Sequence, residues 1–234
     1  MLASQIITDV RRELIETSAQ FWSDAELLRL INRAELDFTN KTRILEDSAQ
    51  LTLVTGRLEY PLPGNWVSSR MVMHKTVNSD GTYAWHRIIP TNLEKMGQTT
   101  QNFLNTSTDN QGQPTKYWIW NRSLWLNRAP NDEHATSLYL FYKSKPISLT
   151  STSSEINIDD SLSEAINEYV LWKAWKKEGE DDTAAEHELA YQKYVLEGRR
   201  WSKKQQGDRR VGMDIVSSVD IEQQMNPFSP FGSQ

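Results

Sequence analysis

Hydrophobic residues recur every three or four positions in the first 46 residues of the chain. This spacing places them on one side of a helix and predicts a short helix followed by a long one, with a turn at 17–22 between them. The two apolar stripes consist of Ile6, Ile7, Val10 and Leu14, and then of Leu27, Ile31, Ala34, Phe38 and Leu45. We expect the long helix to cover about residues 23–46 and to bury its stripe against another element.

The same period returns near the C-terminal end of the chain. One apolar series runs through 162–175 and a second through 185–196. Between them, Gly179 occupies the position at which a left-handed residue often ends a helix. The acidic run 178–182 suits the start of the next helix, where carboxylates interact favourably with the helix dipole. These features predict a helical hairpin.

Helix starts are also indicated by the capping-box pattern. In this pattern a Ser or Thr side chain accepts a hydrogen bond from a free helix N–H group, and a Glu three residues later bonds back. The four sequences with this pattern are Ser23/Glu26, Thr91/Glu94, Ser161/Glu164 and Thr183/Glu186.

A period of two and frequent turn residues mark the middle of the chain. This combination is typical of strands that form an antiparallel sheet. The predicted strands cover 51–54, 57–60, 66–77, 83–89, 116–120, 124–126 and 138–143. Thr55-Gly56 and Asn121-Arg122 are predicted to form tight hairpin turns, and the polar stretch 102–113 is predicted to form a long loop.

The order of these elements predicts an α+β fold. Neither pair of helices can bury its apolar stripe alone, so we expect the N- and C-terminal helices to pack together in a discontinuous helical bundle. The predicted domains are this helical bundle domain over 1–46 and 159–206, an inserted antiparallel β domain over 47–158, and an extended C-terminal tail over 207–234.

Composition and charge limit the possible functions. The 234 residues include no cysteine, which removes disulfides, thiolate metal sites and thiol nucleophiles. Lys and Arg total 26 against 31 Asp and Glu, and the resulting net charge of −5 disfavours general nucleic-acid binding. The longest apolar run, 138–142, is too short to cross a bilayer, so we expect no membrane contact. Nine Trp residues favour protein interfaces, where Trp is enriched.

No catalytic, metal or cofactor site is predicted. The chain has no Gly-x-Ser-x-Gly sequence for a nucleophilic serine and no Gly-Lys-Ser/Thr loop for phosphate. No metal-binding spacing relates its four histidines, which are His74, His86, His134 and His187. The carboxylates at 159–160 and 178–182 fit helix starts better than a glycosidase pair. We therefore expect that the protein is not an enzyme and needs no cofactor.

A cluster of cations near the end of the last helix is the one local signal for an anionic partner. It consists of Arg199, Arg200, Lys203, Lys204, Arg209 and Arg210. Cations at a helix C-terminus also complement the helix dipole, which is the simpler explanation. The other explanation is contact with an acidic protein face or with DNA in transit.

Several segments, in order, resemble the head-to-tail adaptor (connector) proteins of tailed bacteriophages, particularly those with short tails. The opening helix with WSDAELLRLINRA at 22–34 is similar to the first helix of that family. The other matching segments are EYPLP at 59–63, GQPTKYW at 112–118, LWL at 124–126 with Ala129-Pro130, LFYKSKP at 140–146, and the hairpin at 162–197.

The resemblance implies a structural virion protein that forms a ring, expected to be a dodecamer, beneath the portal protein of the capsid. Its other face would receive the tail nozzle or tail tube protein and could also receive tail fibre proteins. The helical domain would enclose the DNA channel and make only transient, non-specific contact with the genome. The protein would be located in the neck or tail of the virion after assembly in the cytoplasm of the host bacterium.

The C-terminal tail matches no motif of that family, and we expect its apolar residues to bind the portal. These residues are Val211, Ile215, Val219, Ile221, Met225, Phe228 and Phe231. Two other functions remain open at this point. The aromatic β segment is compatible with a fibre-attachment or carbohydrate-binding protein, and the carboxylates are compatible with a wall hydrolase.

Overall fold

The fold is α+β, as predicted. The computed structural model describes residues 1–16, 21–78, 80–99 and 104–205. The helices in this part of the chain are α1 (Ala3–Glu13), α2 (Asp24–Thr42), α3 (Leu93–Thr99), α4 (Glu164–Glu178) and α5 (Asp181–Gln205). The strands are β1 (Glu46–Thr52), β2 (Glu59–Pro61), β3 (Trp66–Val77), β4 (Tyr83–Pro90), β5 (Lys116–Trp120), β6 (Ser123–Leu126) and β7 (Ser137–Ser144).

The start of α2 is the capping box predicted at Ser23. The Ser23 hydroxyl accepts a hydrogen bond from the Glu26 backbone N–H at 3.3 Å, and the Glu26 carboxylate accepts one from the Ser23 backbone N–H at 3.4 Å. The prediction that this helix extends to residue 46 is wrong. It ends at Thr42 because Arg43 takes the left-handed conformation, with φ of 55°, and this turns the chain into β1.

The other three predicted capping boxes are wrong. At α3 the Asn92 carboxamide, not Thr91, accepts the Lys95 backbone N–H at 2.8 Å. Asp159 caps a 3₁₀ turn by accepting the Ser161 N–H at 2.9 Å, and α4 begins only at Glu164. Thr183 lies inside α5. Asn and Asp cap as well as Ser or Thr, so at α3 and at the 3₁₀ turn a nearby amide or carboxylate is the cap instead. Gly179 ends α4 as predicted, with φ of 90°.

The N- and C-terminal helices share one hydrophobic core. It includes Ile6, Val10, Leu27, Ile31, Ala34, Phe38, Ile166, Val170, Ala174, Tyr191 and Val195. Helix α5 approaches α2 closely at Gly198, where an added Cβ atom would lie 2.8 Å from both Phe38 Cζ and Thr42 Cγ2. Only glycine fits between the two helices at this point without displacing a neighbour.

The irregular segment 145–159 runs along this helical core. Its residues Leu149, Ile156 and Ile158 are buried in the same cluster. Two side chains of α2 hold its backbone. Asn32 bonds both backbone groups of Leu149, and Glu35 accepts hydrogen bonds from the backbone and the side chain of Asn157. Burial raises the pKa of Glu35.

The seven strands form one sheet in the order β1-β7-β3-β4-β5-β6-β2. All neighbours pair antiparallel except β4 and β5, which are parallel. Helix α3 lies in the connection between these two strands, so the domain that was predicted to be antiparallel contains one parallel pair. β1 begins at Glu46, five residues before the predicted strand at 51–54.

The two predicted hairpin turns had different outcomes. Asn121 and Arg122 connect β5 to β6 with φ of 48° and 60°, as a two-residue hairpin requires. Thr55-Gly56 is a tight turn, with Gly56 at φ of 76°, but the strands around it do not pair with each other. β1 pairs with β7 and β2 with β6 instead, because the turn connects the strands at the two opposite edges of the sheet.

The sheet curls around a second hydrophobic core. Side chains from both halves meet in it, including Val72, Ile88, Leu124, Leu126, Leu138 and Leu140. The opposite face of β1, β7, β3 and β4 points away from this core. The boundaries of the predicted domains stay a prediction, and the predicted tail lies outside the described residues.

Candidate interaction surfaces

The basic end of α5 combines a structural contact with exposed cations. Arg199 Nε donates to the Lys41 carbonyl at 3.0 Å, and the Ser202 hydroxyl donates to the Arg43 carbonyl at 3.1 Å. Both bonds satisfy carbonyl groups at the end of α2, which would otherwise lack partners. The other predicted residues of the cluster within the described chain, Arg200, Lys203 and Lys204, are exposed. Their role in binding an anionic partner stays a prediction.

The remaining predicted site residues lie outside the described residues. They are the two cations Arg209 and Arg210 and the expected portal-binding residues Val211, Ile215, Val219, Ile221, Met225, Phe228 and Phe231.

A cationic groove lies between α2 and α4, and the sequence analysis missed it. The groove has a volume of about 320 Å³, and its charged lining residues are Arg29, Arg33, Lys173, Lys177 and Glu26. Four cations therefore face one carboxylate in a chain whose net charge is −5. Glu26 is bonded to Lys177 at 3.3 Å, whereas the exposed Arg29 and Arg33 form no ion pair with a described residue.

Aromatic rings form the apolar part of this groove. Lys177 Nζ lies 4.2 Å from the centroid of the Trp22 ring, and Trp22 Nε1 donates to Glu178 at 2.7 Å. Lys173 Nζ lies 5.3 Å from the Tyr169 centroid. Partial burial and, secondly, the charge of Lys176 lower the pKa of Lys173. The groove thus has the chemistry to receive a carboxylate or phosphate group beside an apolar contact.

The outer sheet face is the second surface that the sequence analysis did not locate. We use this name for the side of β1, β7, β3 and β4 that points away from the sheet core. The strand register places on it Ser48, Gln50, Met71, Met73, Lys75, Val77, Tyr83, Trp85, Arg87, Tyr139 and Phe141. Most of these side chains are apolar, although several remain exposed to solvent. Large apolar surfaces of this kind mark interaction sites.

The four histidines were predicted to have no catalytic or metal-binding role, and two of them contact neighbouring groups in the fold. His74 is buried, and its Nε2 lies 3.0 Å from the His134 carbonyl. His187 Nδ1 lies 2.8 Å from Glu168. Within the described ranges, no group of three or more His, Asp or Glu side chains is arranged to hold a metal ion. No described helix is long and apolar enough to cross a membrane.

Comparison with known families relates these surfaces to a class of protein. The sequence matches the family described as SU10 adaptor protein over residues 1–217. The chain belongs to this family. The match extends over both the helices and the curled sheet, and it confirms the resemblance that the ordered motifs indicated. No curated protein matches the sequence.

Membership of this family shows what kind of protein this chain is. It is a phage adaptor protein with a structural role, and it is a component of the virion. Its interaction surfaces are therefore its candidate functional sites. The cationic groove could have been suspected from cations spaced four residues apart on each helix, Arg29 with Arg33 and Lys173 with Lys177.

Buried His74 is expected to make the stability of the adaptor depend on pH. Burial lowers the pKa of His74, and no described group bonds its Nδ1 atom. The unfolded chain therefore binds a proton before the folded chain does, so stability falls as pH drops below about 6.5. When the pH is lowered from 7.5 to 5.5, the free energy of unfolding should fall by about 1 kcal/mol less in His74→Gln than in the wild type. Urea denaturation at both pH values measures this difference.

The control for this experiment is His86→Gln. His86 lies opposite His74 on β4 but is exposed. Burial lowers the pKa of His74 more than the charge of His86 does, so the variant should keep most of the wild-type pH dependence. Equal slopes for the wild type and His74→Gln would contradict the prediction.

Proposed function

We propose that this adaptor forms a ring at the head-to-tail junction of a phage, joining the portal protein to the tail nozzle or tail tube. The ring is expected to contain twelve copies and to enclose the DNA channel. The observation that carries the proposal is the family match over residues 1–217. It agrees with a chain that has two interaction surfaces and an overall acidic charge.

The charge distribution supports a passive channel. A net charge of −5 does not hold a phosphate backbone, so DNA could slide past with only transient contacts. The helical bundle domain over 1–46 and 159–206 is the proposed wall of the channel. In this proposal the exposed cations Arg200, Lys203 and Lys204 contact an acidic protein face or passing DNA.

The C-terminal tail is the proposed portal-binding element. Its segment 207–234 contains the seven apolar residues that were predicted to bind the portal, and the helical period of hydrophobic residues fades within it. Apolar side chains at intervals along a segment can anchor it in the grooves of a larger partner. The inserted β domain over 47–158 is then free to contact neighbouring subunits or tail proteins, including fibre proteins.

Removing residues 208–234 tests this assignment. The truncated chain should keep its thermal unfolding transition, since the described residues of the helical and sheet cores all lie before residue 206. It should fail to join portal-containing heads, as measured by co-sedimentation with heads and by the yield of complete virions made in the host cytoplasm.

A matched pair of variants makes the test specific. Ile215→Ser with Val219→Ser removes two apolar anchors, whereas Ser217→Ala with Ser218→Ala changes neighbouring residues that are not anchors. We expect loss of joining for the first pair only. Normal joining by the truncated chain would show that the tail is not the portal-binding element.

A further inference from the structure

The outer sheet face has the residue composition of a protein interface. Its aromatic rings form a continuous row from β4 to β7. Ring centroids are 6.4 Å apart for Tyr83 and Trp85, 5.0 Å for Trp85 and Tyr139, and 6.1 Å for Tyr139 and Phe141. The residues at the two ends remain exposed, Tyr83 by 60% and Phe141 by 36%. Tyr, Trp and Met are the residues enriched at the centres of protein interfaces.

Two cations accompany this aromatic row. Lys75 Nζ lies 4.4 Å from the centroid of the Tyr83 ring, and Arg87 is exposed on the neighbouring strand. Neither cation forms an ion pair with a carboxylate in the described part of the chain. At the other end of the face, Glu46 is already paired with both Arg70 and Lys143. The free charge on this face is therefore positive.

The first half of α5 offers the complementary surface. Asp182, Glu186 and Leu189 are spaced four and three residues apart, so they lie on one side of the helix. All three are exposed, and Leu189 is 64% exposed. The two carboxylates form no ion pair with a described cation. This side of α5, with Ala185 between the charged residues, is called the acidic face of α5 below.

We propose that the outer sheet face of one copy binds the acidic face of α5 of the next copy. This inference rests on the proposed ring. Lys75 and Arg87 would pair with Asp182 and Glu186, while Leu189 would pack against the aromatic row. The two surfaces are different, so each copy donates one and receives the other. Contacts of this heterologous kind are the ones that close into rings.

A second copy fits this face better than nucleic acid does. Binding to phosphates increases with the number of cations, and the aromatic row has only Lys75 and Arg87 with free charge. Most of the face is apolar and needs an apolar complement, which Leu189 supplies. Charge complementarity at the rim would align the two subunits and disfavour other pairings.

The absence of cysteine allows a direct test by disulfide crosslinking. Val77→Cys lies at the end of the outer sheet face and Ala185→Cys lies on the acidic face of α5. Both sites are exposed and both substitutions are small. In virions that carry the double variant, mild oxidation should produce a ladder of covalent oligomers on a denaturing gel. Each single variant should remain monomeric, because identical residues do not meet in a heterologous contact.

The control is Val77→Cys combined with Ile147→Cys, an exposed residue outside both faces, which should give no ladder. The proposal is overturned if the double variant is present in virions but gives no ladder. It is also overturned if Val77→Cys alone gives a dimer, or if that single variant crosslinks to a different virion protein. A ring seen in the neck without the crosslink rejects this contact and leaves the proposed function intact.

Charge reversal provides an independent test of the same pairing. Lys75→Glu with Arg87→Glu, or Asp182→Lys with Glu186→Lys, should each lower incorporation into virions by about tenfold or more through like-charge repulsion. All four changes in one chain should restore incorporation to within about twofold of the wild type. Failure of the fourfold variant to restore it, while its unfolding transition is normal, would contradict the pairing.

Discussion

Replacing Phe38 by alanine is expected to lower the free energy of unfolding by about 3–5 kcal/mol. The Phe38 side chain is fully buried at the centre of the helical core. Its ring centroid lies 6.4 Å from that of Tyr191, and its Cζ atom would lie 2.8 Å from a Cβ atom added at Gly198 of α5. Alanine would leave a cavity at this contact, because the backbones of α2 and α5 are already close and cannot collapse further.

Leu36→Ala is the matched control for this variant. Leu36 lies on the same helix but is 43% exposed, so its truncation should cost well under 1 kcal/mol. Chemical denaturation of both variants measures the difference. Similar losses for the two variants would show that the α2–α5 contact is not a centre of stability.

Replacing Asn32 by alanine is expected to cost about 2–4 kcal/mol. The Asn32 side chain donates to the Leu149 carbonyl at 3.0 Å and accepts the Leu149 N–H at 2.6 Å. Leu149 is buried, and both of its backbone groups would lose their partner. The loss should also loosen segment 145–159, which amide hydrogen exchange would detect as faster exchange of the Leu149 N–H.

Asn40→Ala is the corresponding control. Asn40 is an exposed residue of α2, and its replacement should change stability by no more than about 0.5 kcal/mol. The interpretation of Asn32 would be wrong if both variants unfolded at the same denaturant concentration or if Leu149 kept its slow exchange.

The elements that could be predicted from the sequence are those with a clear hydrophobic period. The stripes of α2, α4 and α5 and the alternation in β3 and β7 gave the right type of element. The boundary between α2 and β1 was wrong because Leu45 extends the helical period by chance. What ends the helix is the left-handed conformation of Arg43, a residue type that carries no such signal.

The helix caps show a second limit of the sequence. Ser23 was predicted correctly, but Asn92 and Asp159 were not, because each lies within two residues of a Ser or Thr that fits the same pattern. Local sequence alone does not decide which of several adjacent polar side chains reaches a free N–H group. Tertiary packing determines where the helix begins.

The positions of the two interaction surfaces could not be predicted because each depends on residues far apart in sequence, although the paired cations on α2 and on α4 are visible in the sequence. The cationic groove brings Arg29 and Arg33 beside Lys173 and Lys177 only after α2 packs on α4. The outer sheet face places Trp85 beside Tyr139 across β3. The number of Trp residues indicated interfaces in general, but the strand register was needed to show which aromatic side chains share a face.

The function was predicted from the order of short motifs rather than from any chemical site. Each motif, such as EYPLP at 59–63, is a small part of the chain, and the match over residues 1–217 shows that they belong to one family. The carboxylates of Asp159, Asp181 and Asp182 lie at the starts of a 3₁₀ turn and of α5, where the helix dipole favours negative charge.

The most direct test of this account is electron cryomicroscopy of the neck of the intact virion. We expect a ring of this chain, with twelve copies, between the portal and the tail, and the outer sheet face of each copy should contact α5 of its neighbour. A neck in which this chain forms no ring, or in which it is absent from the junction between portal and tail, would contradict the proposed function.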